Sequence, residues 1–330
     1  MPNVSQPLCH MTLINRFAQV IFNSFWTFFM RHLWLGLLAF NLAACASAPA
    51  PNIIRISELQ PLPINAQTDV LPLRVAVAAV ISPKGTAESY RPLLDYLSAQ
   101  LERPVELVQR RTYAEINDLL ESGEVDVAFV CTSAYIVGHA EFDMTLLAAP
   151  QVNGESNYHS LLIVPAASAA QTLADLRGQT FAFTDPMSNS GRVYPSYLVK
   201  QLGSTPETFF ARTFYTYSHD EAIRAVAEGL ADGAAVDSLV YQFALQRDPA
   251  LAQQVRVIHA SPPFGIPPVV VSPNVRPQLL VELQNLLLNL DESAEGQMAL
   301  QAMGVERFVL IEDSAYDSAR ELIEQARQLP

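Results

Sequence analysis

Cysteine is scarce in this chain of 330 residues, with only Cys9, Cys45 and Cys131 present. Their spacing matches no metal or redox motif, and no disulfide framework can staple the fold. Charge is sparse as well. Charged residues make up 16% of the chain, and 33 acids against 20 Lys and Arg leave a net charge of −13. Such a surface repels a phosphate backbone, which excludes nucleic-acid binding. No Walker loop and no nucleophile elbow occurs, so two common signatures of catalysis are missing. What is abundant is apolar: half of the residues are hydrophobic. A disordered or low-complexity chain is thereby excluded, and the length accommodates about two domains with a sizeable core.

Residues 1–45 hold Arg16 and Arg31 but no acid. From Met30 the chain reads as a short basic start, an apolar run Leu33–Leu42, and then Leu42-Ala43-Ala44-Cys45. The run is shorter than the ~20 residues that span a bilayer. This layout is that of a secretory signal whose end resembles a bacterial lipoprotein box, with Met30 the expected true start and Cys45 the expected lipid-attachment residue. A plain signal peptide, or one uncleaved helix over 14–40, is the alternative. Residues 46–72, with Pro49, Pro51, Pro61, Pro63 and Pro72, suit an extended tether. Cys131, closing the apolar run Val125–Val130, reads as a buried strand-end thiol rather than a nucleophile.

The mature part alternates strand and helix. The expected order is strand 73–80, helix 88–101, strand 105–108, helix 113–121, strand 125–130 and helix 133–139, then two longer strands at 145–152 and 159–164. A second block repeats the pattern: strand 180–184, helix 189–202, strand 209–217, helix 221–230, strand 233–236, helix 239–246 and strand 255–258. A Pro-dense passage then leads to the run 269–271 and three terminal helices over 277–290, 294–303 and 314–328. Strands apolar throughout imply covered sheets. The fold class is α/β: two lobes, each a mixed, mostly parallel sheet flanked by helices, joined by two hinge strands. Lobe one is expected to comprise 73–160 plus 269–330, and lobe two 161–268. Ligands of such folds sit in the crevice at the carboxyl ends of the strands.

Three segments place hydroxyls and helix N-termini just after a strand: Cys131-Thr132-Ser133-Ala134-Tyr135, Asp185-Pro186-Met187-Ser188-Asn189-Ser190-Gly191, and Ser218-His219-Asp220. Unpaired N–H groups and the helix dipole favour an anion there, and neutral hydroxyls add donors. The plainer reading is that each Ser, Thr or Asn only caps its helix.

The motif Ser188-Asn189-Ser190-Gly191 with Pro195, the step Ser218-His219, Tyr113 ahead of the second helix, Thr132-Ser133 opening the third, and Asp237 come in a fixed order. With them, Leu73–Val309 resembles the phosphate/phosphite/phosphonate-binding proteins of ABC importers, bilobed periplasmic binding proteins of the type II topology. The resemblance implies a small phosphorus oxyanion held by Ser188, Asn189, Ser190 and the Gly191 N–H, with Thr132 and Ser133 approaching from the other lobe. His219 would donate to an oxygen, Tyr113 would close the site, and Asp237 falls near the place of an acidic residue that would face an amine of the ligand. It further implies an ABC permease as partner, an extracytoplasmic location, no cofactor, no metal and no catalysis. Packing of Tyr113 and capping by His219 or Asp237 are the plainer alternatives, and Tyr158 and His159 read as hinge-strand positions.

Two places depart from the family pattern. An Asp that accepts a proton from the ligand is replaced near Pro267, in Gly265-Ile266-Pro267-Pro268, and Arg192 stands where an apolar residue is usual. Either Asp237 takes the role of that acceptor or the ligand is not a protonated phosphate; Arg192 reads as a solvated side chain or as a partner for a second anionic group. Competing functions keep the module but signal to a membrane sensor kinase, or use Cys131 or Ser190 with a histidine for hydrolysis.

Overall fold

A computed structural model describes residues 71–328. The expected signal segment, Cys45 as the expected lipid-attachment residue, and the expected tether up to residue 70 lie outside the described residues. β1 (Leu73–Val77), α1 (Pro83–Gln100), β2 (Val105–Val108), α2 (Tyr113–Ser122), β3 (Val127–Phe129) and α3 (Thr132–Phe142) form a first repeat, in which β1 pairs in parallel with β2 and β3. β4 (Thr145–Gln151), β5 (Asn157–Tyr158) and β6 (Ser160–Pro165) then carry the chain across. β7 (Thr180–Phe183), α4 (Tyr194–Gln201), α5 (Pro206–Phe209), β8 (Arg212–Tyr215), α6 (His219–Ala227), β9 (Gly233–Asp237) and α7 (Ser238–Arg247) reproduce the arrangement, with β7 parallel to β8 and β9. β10 (Val255–Ala260), β11 (Phe264–Gly265), β12 (Val269–Val271), α8 (Pro277–Leu288), α9 (Ala294–Met303), β13 (Arg307–Val309) and α10 (Asp317–Gln328) complete the described chain.

The first sheet has the order β13-β4-β12-β3-β1-β2 and the second β10-β6-β9-β7-β8. Parallel pairing is confined to the βαβ strands; β12, β4, β13, β6 and β10 join antiparallel. The expected predominance of parallel pairs therefore holds only for half of each sheet, because strands that cross between lobes and return run against the βαβ strands. The crossing itself is a two-stranded antiparallel ribbon, β5 against β11.

Side chains alternate across the first sheet as the pleat requires. Leu73, Val75, Val127, Val269 and Val271 pack under α1, α8 and α9, whereas Ala76, Ala128 and Val270 face α2 and α3. In the second sheet, α6 and α7 cover Ala182, Ala234 and Val236, and Leu162, Phe181, Phe183 and Ala235 face the other side with Val199 and Phe209. Both faces are covered, which explains the continuous apolar runs. α10 is not confined to the first lobe: its Ala319 and Leu322 bury against Tyr158 and Phe264 of the hinge and Tyr194 of the second lobe.

Three elements differ from their sequence signals. Phe209 and Phe210 end a short helix instead of opening a strand, because Phe210 stacks on Phe181 at 4.5 Å. The helix expected from residue 189 opens as a π turn, Asn189–Val193, before α4 begins. β13 was not foreseen; it adds to β4 at the sheet edge, with only Phe308 of its three residues buried.

Candidate functional site

The carboxyl ends of β1, β2, β3, β7, β8 and β9 meet between the lobes, and there the chain places Tyr113, Thr132, Ser133, Ser188, Asn189, Ser190, Gly191, His219 and Asp237, all buried. Buried polar groups must be hydrogen-bonded or await a partner, so the bonds they make sort the residues by role.

Several of the expected donors are already engaged. Ser188 Oγ accepts from the Gly191 N–H at 3.0 Å and caps the π turn. The Gly191 N–H is therefore spent on the cap and does not face a ligand, a correction to the sequence reading; the Ser188 O–H is left to donate. Thr132 Oγ1 donates to the Gly265 carbonyl at 2.8 Å, and Ser133 Oγ donates to Asn189 Oδ1 at 3.3 Å. Asn189 Nδ2 in turn donates to Tyr158 Oη at 3.1 Å. The hydroxyls of Thr132 and Ser133 thus tie lobe one to the hinge and to lobe two, and what this helix end can offer an anion is backbone N–H groups. Its N-cap, Cys131, makes no side-chain cap.

Other groups are buried without partners. Tyr113 Oη, Ser190 Oγ and Ser218 Oγ make no hydrogen bond. Ser218 sits at the N-cap of α6 and yet makes no cap bond, so the plain capping reading fails at this position. An unpaired buried hydroxyl costs about 1–3 kcal/mol, which an oxyanion accepting from it would offset.

His219 supplies a further donor. The Asp237 N–H donates to His219 Nδ1 at 3.0 Å, so this nitrogen carries no proton. Burial pulls the imidazole pKa down to about 3, with Asp220 opposing the shift. A neutral ring with Nδ1 occupied holds its proton on Nε2. Asp237 Oδ1 accepts from the Leu239 N–H at 2.7 Å and the Val240 N–H at 3.4 Å, capping α7. Burial pushes this carboxyl up to about 7 despite both bonds. Burial also drives the Tyr113 and Tyr158 phenols well above their usual range, with the nearby Cys131 and Asp237 adding to it. The Cys131 thiol rises to about 11 for the same reason. Tyr113, Tyr158, Cys131 and Asp237 lie close enough for their charges to interact, His219 accepts from the Asp237 backbone, and none of these groups is a Lys or Arg. Neutral donors around a proton-bearing carboxyl can hold an oxyanion that shares one proton with it.

The lobes are also held by bonds that the sequence reading did not single out. Asp185 Oδ2 accepts from the Tyr113 N–H at 3.1 Å across the cleft, and Oδ1 from the Met187 N–H at 2.7 Å. The His219 N–H donates to the Val80 carbonyl at 2.9 Å, and the Ser82 N–H to Asp220 Oδ1 at 2.8 Å. Asp185 stands just after the apolar strand β7, at the head of the segment that runs to Gly191, and that position was a signal open to the sequence. Tyr158 occupies the hinge ribbon, as its sequence position implies, and its hydroxyl also accepts from Asn189. Arg192 takes neither expected role: Nε donates to Tyr215 Oη at 2.8 Å, the guanidinium lies 4.5 Å from the Phe183 ring centre, and Nη2 is 3.6 Å from Glu207.

Comparison with known proteins agrees with this architecture. The family model described as ABC transporter, phosphonate, periplasmic substrate-binding protein matches residues 75–316. The phosphate-import protein PhnD of Mycolicibacterium smegmatis is 27% identical over 212 residues, 60% of this chain and 66% of that protein. A probable ABC transporter phosphite-binding protein, PhnD1 of Prochlorococcus marinus, is 24% identical over 156 residues, 46% of this chain and 52% of that one. The chain thus spans less than two thirds of the length of these relatives. Among solved structures, a binding protein component of an ABC phosphonate transporter from Pseudomonas aeruginosa superposes with a TM-score of 0.73 at 24% identity, over 78% of this chain and 87% of that one. PhnD1 of Prochlorococcus marinus in complex with methylphosphonate gives 0.69 at 19% identity, over 78% and 98%. The chain belongs to the family of periplasmic substrate-binding proteins of ABC phosphonate transporters.

Proposed function

We propose that the protein captures a small phosphorus oxyanion of the phosphonate, phosphite or phosphate class between its lobes and delivers it to an ABC permease, held at the membrane through an acylated Cys45. The observation that carries this reading is the set of buried, unpartnered hydroxyls of Tyr113, Ser190 and Ser218 beside the neutral His219 and the Asp237 carboxyl. Closing the cleft with three such hydroxyls unsatisfied would cost several kcal/mol, so ligand and closure favour one another. The mechanism is hinge closure about the β5–β11 ribbon, with an oxyanion contacting both lobes. Binding without chemistry is supported by the side chains themselves. A thiol raised to about 11 is a poor nucleophile at neutral pH, and His219 Nδ1 is occupied by a backbone N–H.

Thermal shift of the soluble form from residue 46 with phosphate, phosphite, methylphosphonate and sulfate tests the ligand class, since a true ligand raises Tm by mass action. Ser190→Ala should weaken binding of the best of these about tenfold, the loss of one hydrogen bond to a charged oxygen. Unchanged affinity in calorimetry would remove Ser190 from the site.

A further inference from the structure

Asp237 borders a second space. An inner cavity of about 120 Å³ leads away from it between Val80, Tyr90, Leu239 and Ile266, with Pro267 and Pro268 along one wall. Most of these walls continue into an outer chamber of about 270 Å³, and exposed polar side chains, Gln242, Gln246 and Glu306, stand at its rim. No Lys or Arg lines either space, and between Asp237 and Glu306 there is no carboxylate. Proline offers no N–H, so the segment that lacks the usual acidic acceptor gives hydrocarbon to this wall instead.

We propose that the passage is a subsite for an apolar substituent on phosphorus, so that the ligand class is alkyl- or arylphosphonates with about four or more carbons rather than inorganic phosphate or methylphosphonate. This rests on the oxyanion reading above. The phosphonate head meets Ser190, His219 and Asp237, and the substituent leaves along Leu239 and Ile266 toward the rim. An aminoalkyl chain meets no carboxylate between Asp237, which is engaged by the phosphonate head, and Glu306 at the rim, and is disfavoured. Size fits the assignment: an apolar cavity of about 150 Å³ takes up a benzene ring. Ser89 Oγ, buried without a partner on the wall of the outer chamber, offers one hydrogen bond to a polar atom further along the chain.

Calorimetry of the soluble form with phosphate and with methyl-, ethyl-, butyl-, phenyl- and aminoethylphosphonate tests this. Burial of each methylene should tighten binding about fourfold, or about sixtyfold from methyl to butyl. Aminoethylphosphonate should bind no better than methylphosphonate. In Val305→Trp, which narrows the shared part of the passage, the butyl-to-methyl ratio should fall to about one or below. A flat or falling series with methylphosphonate still bound overturns the subsite and leaves the oxyanion reading standing. If no phosphorus compound binds at all, the oxyanion reading fails, and the subsite with it.

Discussion

Affinity for a phosphonate should fall about tenfold per pH unit above pH 7 in the wild-type protein and stay level in Asp237→Asn. Burial holds the Asp237 carboxyl at about 7, and an alkylphosphonate also sheds its second proton near neutral pH, above a phosphate monoester because carbon withdraws less charge than an ester oxygen. Whether a monoanion meets the carboxylate or a dianion meets the acid, the complex holds one proton between the two oxygens. Above pH 7 both free partners have lost that proton, so binding takes one up and weakens as pH rises. Below about pH 6 both partners carry a proton, binding must release one, and affinity falls again, so the profile has its maximum near neutrality. The groups facing Asp237 do not titrate in this window: His219 lies near 3, Cys131 near 11, and the Tyr113 and Tyr158 phenols well above 10. Asp185 is also raised by burial, and it accepts from the Tyr113 and Met187 N–H groups in both proteins. In Asp237→Asn the amide oxygen can keep the cap to Leu239 and Val240 while the NH₂ donates at every pH. At pH 9 the variant should therefore bind a dianion about a hundredfold more tightly than the wild type does, relative to their ratio at pH 7. Calorimetry from pH 6 to 9 decides it; a flat wild-type profile would take the shared proton out of the site.

Much of this architecture is legible in the chain because apolar runs and helical spacing alternate cleanly. Val105–Val108 and Val269–Val271 coincide with their strands, and Tyr113–Ser122 runs from the Thr112–Glu115 capping box to Gly123, whose φ of 72° is the left-handed conformation glycine favours. What failed were places where a distant contact decides. Phe209 and Phe210 look like strand residues, yet they close a helix that Pro206 and the Thr205 capping box start, because the aromatic cluster of Phe181 and Phe183 receives them. The site was legible as a set of helix starts rich in hydroxyls. The division of labour among those hydroxyls was not. Ser188 caps its π turn and Ser218 leaves its helix uncapped, while the His219 N–H goes to the Val80 carbonyl of the other lobe. Asp185 and Tyr158 enter the site through partners far along the chain, and no local spacing announces that.

Gly191→Ala should cost about 1–3 kcal/mol of stability and weaken ligand binding by up to about a hundredfold, although the variant carries only one extra methyl. The Gly191 backbone passes so close to Thr184 that an added Cβ would stand 2.8 Å from its Cβ and Cγ2, and nearer still to Oγ1. Thr184 cannot yield, because it is fully buried and stiff at χ1. The π turn must move instead. That turn carries Asn189, which reaches Ser133 and Tyr158, and Ser190, whose carbonyl accepts from Ser160 Oγ at 2.7 Å. Its displacement therefore disturbs closure and the donor set together. A Thr184→Ala change removes both the Oγ1 and the Cγ2 from the collision and leaves no buried partner orphaned, since Thr184 Oγ1 makes no hydrogen bond. The double variant should recover part of the lost affinity, the Cβ of residue 184 still standing 2.8 Å from the added one, and the cycle of four proteins should return a coupling between the positions of about 1–3 kcal/mol. Wild-type affinity in Gly191→Ala alone, measured alongside its melting temperature, would mean that the turn can shift without carrying Ser190 with it, and the donor geometry assigned to this segment would have to be abandoned.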